Sequence, residues 1–344
     1  MGVDLLMRRQ AEIADGHIKS LSLPKFNKYA ITNLRGGIGK TSLAFNLSFL
    51  TDNLLVVDTC AQGNLSYFYD KSAHLSTLPS VNEILRPYFL PGFGFASNVA
   101  QKISATNSFF EDKNNFFIRS SNDLYILPSQ IANALVQAKT LAGRDQTLMI
   151  DNMLYSLRTE IEKEMQLLNL DKCLIDTSPF FSGATHLSWH AVDALIVPVR
   201  TDQQSLTSLE LLLSTLTNSS SEFRRVMPSD MHTPKIQAII LTHCGWSTVA
   251  GSRNQPNQQT KIFLEKVYDL VARHISLFTT ENPENHIIIL DDFLGSGRMS
   301  TALSKPINKM SAGESMYIHR VKTTVNDSVY EIQNELKFIS QSIW

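Results

Sequence analysis

A glycine-rich stretch from Asn33 to Phe45 contains the residue types that bind phosphate groups. Its sequence is NLRGGIGKTSLAF, in which three closely spaced glycines are followed directly by a lysine, a threonine and a serine. Glycine lets successive backbone N–H groups curve around an anion without a Cβ clash. The positive end of a following helix points at the same place. The predicted phosphate-binding residues are Gly36, Gly37, Ile38, Gly39, Lys40, Thr41 and Ser42.

Two side chains in this loop have specific expected roles. The Lys40 ammonium would reach the β- and γ-phosphates of a nucleotide, and the Thr41 hydroxyl would ligate Mg²⁺. The loop departs from the pattern G-x-x-x-x-G-K-[ST], because Leu34 stands where the first glycine belongs. An ordinary glycine turn between a strand and a helix is the alternative, so the loop by itself does not decide the chemistry.

Two aspartates follow apolar runs and could complete a metal–nucleotide site. Asp58 ends the run in VVDTCAQGN (56–64), and Asp176 ends the run in KCLIDTSPF (172–180). A carboxylate in such a place could hold Mg²⁺ or its water shell, although a single aspartate at a strand end is often only a cap. We predict Thr41, Asp58 and Asp176 as metal ligands, and Gln62 as a further nucleotide contact.

The elements that must position these residues alternate along the chain between strands and helices. Continuous apolar runs are typical of parallel strands buried on both faces. The alternation predicts an α/β fold with a doubly wound, mostly parallel sheet and helices on both faces, whose ligands lie beyond the carboxyl ends of the strands. The predicted strands are residues 28–33, 53–58, 124–129, 172–178, 194–199, 235–243 and 286–290, and the predicted helices include 40–50, 131–168 with a break near Gly143, 204–216 and 260–275.

We expect three parts in the chain. Residues 1–26 form a short helical extension, residues 27–310 form the α/β domain, and residues 66–122, rich in Asn, Ser and Phe, form an irregular insertion in it. Residues 311–344 should end in an amphipathic helix packed on the domain. Acidic residues on the polar face of that helix argue against membrane binding. Its apolar stripe consists of Val325, Val329, Ile332, Leu336, Ile339 and Ile343.

Composition excludes several classes of protein. Lys plus Arg is 31 and Asp plus Glu is 32, so a wholly basic nucleic-acid binder is excluded while a local basic patch is not. Three widely spaced cysteines form no metal pattern and suit a reducing cytosol. His186 and His190 are four residues apart, as metal ligands can be, but without a third ligand they favour packing. Neither a signal peptide nor a membrane span is predicted.

Several stretches together resemble the deviant Walker A ATPases of the ParA/MinD superfamily, and its partition ParA branch most. They are RGGIGKT, VVDTCAQGN, LPSQ and CLIDTSPFFSGATHLSWHAVDALIVPV. The resemblance covers about residues 27–310 and implies a P-loop NTPase domain that binds ATP and Mg²⁺. The loop of this family lacks the first glycine, so Leu34 is no defect.

Two positions depart from the family pattern. Arg35 stands where relatives carry a signature lysine that crosses a nucleotide-sandwiched dimer to the partner's phosphates. The resemblance implies that role for Arg35, with a planar fork in place of a point charge, and an exposed loop arginine is the alternative. Cys60 and Ala61 replace Asp-Pro, whose aspartate would position the attacking water, and a thiol is a weak hydrogen-bond acceptor. We therefore expect slow hydrolysis, with Lys40, Asp58 and Arg35 as the catalytic residues.

The resemblance also implies partners and a use. The expected protein is a cytoplasmic ATP-driven homodimer that sandwiches nucleotide, binds non-specific DNA and responds to a ParB-like or other stimulating protein, with nucleoid association left open. A non-hydrolysing scaffold, a MinD-like membrane-associated regulator and a small-molecule enzyme are the alternatives. Candidate DNA contacts are Arg224, Arg225, Lys261, Lys266, Arg273, Arg298, Lys305 and Lys309.

Overall fold

The computed structural model describes residues 2–17, 19–181, 183–228, 231–246 and 256–344. At its centre is an eight-stranded sheet, in which neighbouring strands run parallel except for one antiparallel pair at an edge. The strands are β1 Lys28–Ile31, β2 Leu54–Asp58, β3 Gln101–Lys102, β4 Phe116–Ile118, β5 Lys172–Asp176, β6 Ala194–Arg200, β7 Lys235–Cys244 and β8 Ile287–Asp291. Their order across the sheet is β3-β4-β2-β5-β1-β6-β7-β8, and β3–β4 is the antiparallel pair.

Helices cover both faces of this sheet. Alternate side chains of one strand enter different cores, so that Leu55 and Val57 pack on one side while Leu54 and Val56 pack on the other. This arrangement requires strands that are apolar throughout. The helices are α1 Gly2–Ala14, α2 Lys40–Leu50, α3 Asn64–Tyr69, α4 Val81–Phe89, α5 Leu127–Ala138, α6 Gly143–Leu154, α7 Ser156–Leu168, α8 Gly183–Ala191, α9 Gln203–Thr217, α10 Glu222–Arg225, α11 Gln258–Arg273, α12 Leu294–Leu303 and α13 Val329–Ile343.

The predicted fold class is confirmed, but one predicted strand is wrong. Residues 124–129 belong to a 3₁₀ turn, Asn122–Tyr125, and to the start of α5. Pro128 lies in the first turn of α5, where its missing N–H costs no hydrogen bond. The stretch 131–168 is helical but breaks twice, at Gly143, with a φ of 58°, and again at Tyr155.

The expectation of an irregular insertion at residues 66–122 is also wrong in part. The segment contains α4, which begins with a capping box formed by Ser80 and Glu83. Its strand β4 pairs with β2 in the main sheet. The segment is therefore built into the central sheet, because the three-residue apolar strand β4 extends the sheet beyond β2.

The two ends of the described chain pack against each other. Helix α13 contacts α1, α2 and β8, and all six side chains of the predicted apolar stripe are buried. The buried Glu335 of α13 accepts hydrogen bonds from the Gln10 side chain of α1 and from the Asp291 backbone N–H at the end of β8. Before α13, β9 (Ser315–Ile318) and β10 (Val321–Thr324) form a separate hairpin. No helix in the described ranges is long and apolar enough to cross a membrane.

Candidate nucleotide-binding site

The sheet order places the predicted site residues at neighbouring strand ends. Strands β2, β5 and β1 are adjacent, with β5 in the middle. Asp176 at the end of β5 is in register with Asp58 of β2 on one side and with Ile31 of β1 on the other. The glycine loop leaves β1 directly after Ile31. The three sequence motifs therefore meet at the carboxyl edge of the sheet, where ligands of such sheets bind.

The glycine loop has the backbone conformation of an anion-binding loop. Gly37 and Gly39 have φ values of 70° and 90°, in the left-handed region that favours glycine. A Cβ at either position would meet no atom within 4 Å, so the space above the loop is open. Gly39 precedes α2 and no side chain caps that helix end. The N–H groups of the first turn of α2 are thus free of a side-chain partner and can bind an anion.

Lys40 lies folded back along the loop. Its Nζ donates hydrogen bonds to the carbonyl oxygens of Asn33, at 3.2 Å, and Arg35, at 2.7 Å. Burial lowers the pKa of Lys40, while the charge of Asp176 acts in the opposite direction. A phosphate group in the loop would provide the counter-charge that two neutral carbonyls do not.

Thr41 and Asp176 form a direct contact that suits a hard cation. The Thr41 hydroxyl donates to Oδ2 of Asp176 at 2.8 Å, and Oδ1 of Asp176 is buried without a hydrogen-bond partner. Burial, and next the charge of Asp58, raise the pKa of Asp176 to about 7. Hydroxyl and carboxylate oxygens are the ligands that Mg²⁺ prefers. The residues present therefore fit a Mg²⁺ ion.

Asp58 is occupied by contacts with the following loop. Its Oδ2 accepts hydrogen bonds from the backbone N–H and the hydroxyl of Ser66, both at 2.8 Å, and its Oδ1 accepts from the Cys60 N–H at 3.1 Å. Burial raises the pKa of Asp58 to about 6, against the effect of these hydrogen bonds. Asp58 thus anchors the segment that leads into α3, and its role as a metal ligand stays a prediction.

A cavity of about 240 Å³ joins the loop to the two strand ends. Cys60 lines it with its side chain mostly buried, and burial followed by the charge of Asp58 raises the pKa of this thiol. The thiol is therefore protonated at neutral pH. The cavity is lined by Gly36, Gly37, Ile38, Gly39, Lys40, Thr41, Ser42, Cys60, Gln62, Asn64, Thr177 and Pro179.

A second cavity, of about 460 Å³, continues from the loop toward the β8 edge of the sheet. It shares Gly37, Gly39 and Ser42 with the first cavity, and Thr242 in its wall donates a hydrogen bond to the Ile38 carbonyl at 3.2 Å. Its volume is in the range of small-molecule sites. The other lining residues are His243, Leu290, Asp291, Asp292, Phe293, Leu294, Gly297, Arg298 and Thr301.

Comparison with known proteins now identifies the family. Residues 27–228 match a protein family that is described as an AAA domain. The chain belongs to this family. It is a P-loop ATPase of the ParA/MinD type, as the sequence motifs predicted.

Individual relatives agree with this assignment. The ATPase is 24% identical over 270 residues to the sporulation initiation inhibitor protein Soj of Bacillus subtilis, which covers 76% of this chain and 90% of Soj. The McdA–ATP complex of Cyanothece has a TM-score of 0.56 at 16% identity, covering 92% of this chain and 97% of McdA. A plasmid partition protein of Borrelia burgdorferi bound to AMPPNP has a TM-score of 0.52 at 17% identity, covering 92% and 98%. These two structures share the fold of the ATPase.

Arg35 of the ATPase is held within its own chain. Its guanidinium contacts the Asp202 carboxylate and the Ser205 hydroxyl at the start of α9. Asp202 also caps α9 by accepting a hydrogen bond from the Ser205 N–H at 2.9 Å. Partial burial raises the pKa of Asp202, but the hydrogen bonds from the Ser205 N–H and then from Arg35 favour the ionised carboxylate and bring its pKa below the usual value. A contact of Arg35 with a second protomer would require this ion pair to open.

The two histidines of α8 pack in an aromatic cluster. The rings of His186 and His190 lie 5.1 Å apart, and His190 stacks on Phe223 at 4.6 Å. Burial lowers the pKa of His186 to about 4, so its ring is neutral at neutral pH. Within the described ranges no group of three or more His, Cys, Asp and Glu side chains could hold a metal ion. This geometry agrees with the packing interpretation.

Three residues at the site were not predicted. Ser66 binds Asp58, Asn33 supplies a carbonyl to Lys40, and Asp202 binds Arg35. Asn33 also donates a side-chain hydrogen bond to the Pro198 carbonyl at 2.8 Å, which connects β1 to β6. Asn33 stands at the first position of the quoted loop and could have been suspected, whereas nothing in the sequence relates Ser66 or Asp202 to its partner.

Proposed function

We propose that this ATPase is an ATP-dependent dimerising switch that acts in DNA partition or in the positioning of another cargo. The observation that carries the proposal is the contact between Thr41 and Asp176 beside an open glycine loop, with one carboxylate oxygen of Asp176 left without a partner. This combination provides separate places for a triphosphate and for its Mg²⁺ ion.

Each residue of the site has a distinct task in this proposal. The loop amides and Lys40 bind the β- and γ-phosphates, while the larger cavity at the β8 edge takes the nucleoside. Thr41 and Asp176 hold Mg²⁺, which when bound neutralises charge on the phosphate oxygens. Gln62 lines the phosphate cavity, where it would contact the nucleotide.

Hydrolysis is expected to be slow because of Cys60. Its thiol stays protonated and is a weak hydrogen-bond acceptor. It therefore does little to orient the attacking water molecule in the transition state. Binding of ATP in the ground state does not depend on this residue. The resting ATPase would therefore accumulate in the ATP-bound form until a ParB-like or other partner protein stimulates it.

The switch is a two-state equilibrium between monomer and ATP-sandwiched homodimer. The γ-phosphate favours the dimer because Arg35 exchanges its pairing with Asp202 for a contact with the phosphates of the second protomer. The dimer then binds non-specific DNA through phosphate contacts. The structural relative named as a plasmid partition protein supports a role in DNA partition.

The decisive experiment measures mass by light scattering with Mg·ATP, Mg·ADP or no nucleotide, each with and without non-specific duplex DNA. We expect a dimer only with ATP, and DNA binding only by that dimer. A Lys40→Ala variant is the control that should remain monomeric. If the wild-type protein has no measurable affinity for Mg·ATP and an unchanged melting temperature in its presence, the proposal is wrong.

A non-hydrolysing scaffold is the second candidate, and the buried thiol of Cys60 favours it. It would keep ATP-dependent dimerisation but show no turnover. Phosphate release under single-turnover conditions, with saturating partner-free protein, separates the two candidates. Release by the wild type above that of a Lys40→Ala control supports the slow enzyme, and equal release supports the scaffold.

A further inference from the structure

The β9–β10 hairpin presents a cationic, aromatic surface that the nucleotide site does not use. Residues 315–324 read SMYIHRVKTT and contain no acidic residue. Tyr317 and Lys322 are paired across the two strands and both are exposed, with 72% of the Tyr317 surface accessible. His319 and Arg320 form the exposed tip. Four side chains that can contact a nucleic acid thus point away from the protein together.

The tip of the hairpin has a backbone conformation that its residue types do not favour. His319 and Arg320 have φ values of 48° and 68°, so both central residues of this two-residue turn are left-handed. Such a turn is of type I′, in which Asn-Gly is strongly preferred. Histidine is tolerated in this region, whereas an arginine there costs stability. The Arg320 side chain at the tip is thus not explained by the turn itself.

The hairpin itself carries only positive charge, and the acid that directly precedes it is paired. The adjacent acid, Glu314, is paired with Lys305 at 2.7 Å, so its charge is compensated. Burial of Thr323 and partial burial of Met316 fix the inner face of the hairpin on the protein body. The outer face is consequently exposed and can meet a polyanion.

The hairpin is also attached to the wall of the nucleotide cavity. Leu294, Gly297, Arg298 and Thr301 follow helical spacing and line the cavity with one face of α12. Gly295, which follows Leu294 in α12, lies so close to the hairpin that a Cβ there would be 2.3 Å from the Thr324 carbonyl oxygen. A shift of α12 on nucleotide binding would therefore carry the hairpin with it.

We propose that the β9–β10 hairpin is the element with which the ATP-bound protein contacts the phosphate backbone of duplex DNA. This inference rests on the proposed function, since it names the contact surface for the proposed DNA binding. Arg320 and Lys322 neutralise phosphates, and Tyr317 packs on the sugar or a base edge. A two-stranded ribbon has the width that the major groove admits.

The test compares two matched double variants in the full chain. Arg320→Asn/Lys322→Gln removes two charges from the hairpin, with an asparagine that tolerates the left-handed turn. Lys102→Gln/Lys139→Gln removes two exposed charges elsewhere and is the control. Affinity for a labelled random-sequence duplex is measured by anisotropy with Mg·ATP between 50 and 200 mM salt, roughly the range over which phosphate contacts are lost.

We expect the hairpin variant to bind about tenfold or more weakly, with a log–log salt slope shallower by about 2, while the control behaves as wild type. A His319→Asn/Arg320→Gly variant should melt at the same or a higher temperature and still bind DNA more weakly, which excludes misfolding. Hairpin variants that bind DNA as wild type does overturn the inference.

Binding of Mg·ATP and dimerisation are measured on the same samples. A wild-type protein that binds neither refutes the proposed switch itself. If the wild type dimerises with ATP, and the hairpin double variant binds DNA as tightly as the wild type does, only the hairpin assignment is refuted. A wild-type dimer without affinity for duplex DNA also overturns the hairpin assignment, and leaves the ATP-dependent switch standing.

Discussion

Replacing Asp176 with asparagine should stabilise the nucleotide-free protein while destroying its response to Mg·ATP. Asp176 is fully buried, its neighbour Asp58 is in register on the adjacent strand, and one of its oxygens has no partner. An asparagine has nearly the same shape and can still accept the Thr41 hydrogen bond. The substitution therefore removes the buried charge and preserves the local geometry.

The magnitude follows from the pKa of Asp176, which burial raises from 3.8 to about 7. The folded state then binds more protons than the unfolded state between these values, so stability falls as the pH rises through this window and is constant above it. At pH 8, where the carboxylate is ionised, burying Asp176 costs on the order of 4 kcal/mol; at pH 5, where the folded-state carboxyl is protonated, it costs about 1–2 kcal/mol. The stabilisation by Asp176→Asn should thus be larger at pH 8 by roughly 2–3 kcal/mol.

The assay is urea unfolding of the nucleotide-free wild type and variant at pH 5 and pH 8, followed by melting with Mg·ATP at pH 8. Asp171→Asn is the control, because Asp171 is 64% exposed and paired with Lys172. Saturating Mg·ATP at a hundred times its Kd should stabilise the wild type by about 2.7 kcal/mol and leave Asp176→Asn unchanged. A variant that is no more stable than wild type at pH 8, or equally stabilised at both pH values, would refute the reasoning.

Three further predictions concern hydrolysis, dimerisation and folding. Cys60→Asp should raise the single-turnover rate of phosphate release by about 10²-fold or more, since it restores a water-orienting carboxylate, whereas Cys60→Ser should not. Arg35→Ala should abolish the ATP-dependent dimer seen by light scattering and leave ATP affinity of the monomer within about threefold of wild type; loss of ATP binding would contradict this. Leu336→Ala should lower the free energy of unfolding by about 2–5 kcal/mol, because the side chain is fully buried between α13 and the sheet. Tyr330→Ala, on the exposed face of the same helix, is its control and should change stability by less than about 1 kcal/mol.

The sequence predicted most of the fold because the buried strands are apolar throughout. Runs such as LLVVD and ALIVPV are continuous and contain β-branched residues, which favour buried strands, and each became a parallel strand. Residues 124–129 failed because a short apolar run does not distinguish a strand from the start of a buried helix. Strand β4 was missed because three residues after an asparagine pair carry too little signal, although FFI is rich in strand-forming types.

The candidate site was predicted as a set of residues but not as a set of contacts. Glycine spacing and strand-end aspartates are local patterns, so they placed Lys40, Thr41 and Asp176 together. The pairing of Asp58 with Ser66 and of Arg35 with Asp202 depends on where a later helix begins in space. Such pairings connect residues that no sequence period relates, and tertiary packing alone decides them.

The position of the proposed nucleotide cleft in the sheet would have a kinetic consequence. Its phosphate half is built on β2, β5 and β1, which have paired strands on both sides, whereas its other half rests on α12, the helix that follows the edge strand β8. Opening motions cost least where the fewest neighbours must separate. Nucleotide would accordingly enter and leave on the α12 side. Substitutions in α12 should therefore change the rates of nucleotide association and dissociation together, and with them the residence time. Substitutions in the glycine loop should instead change the affinity.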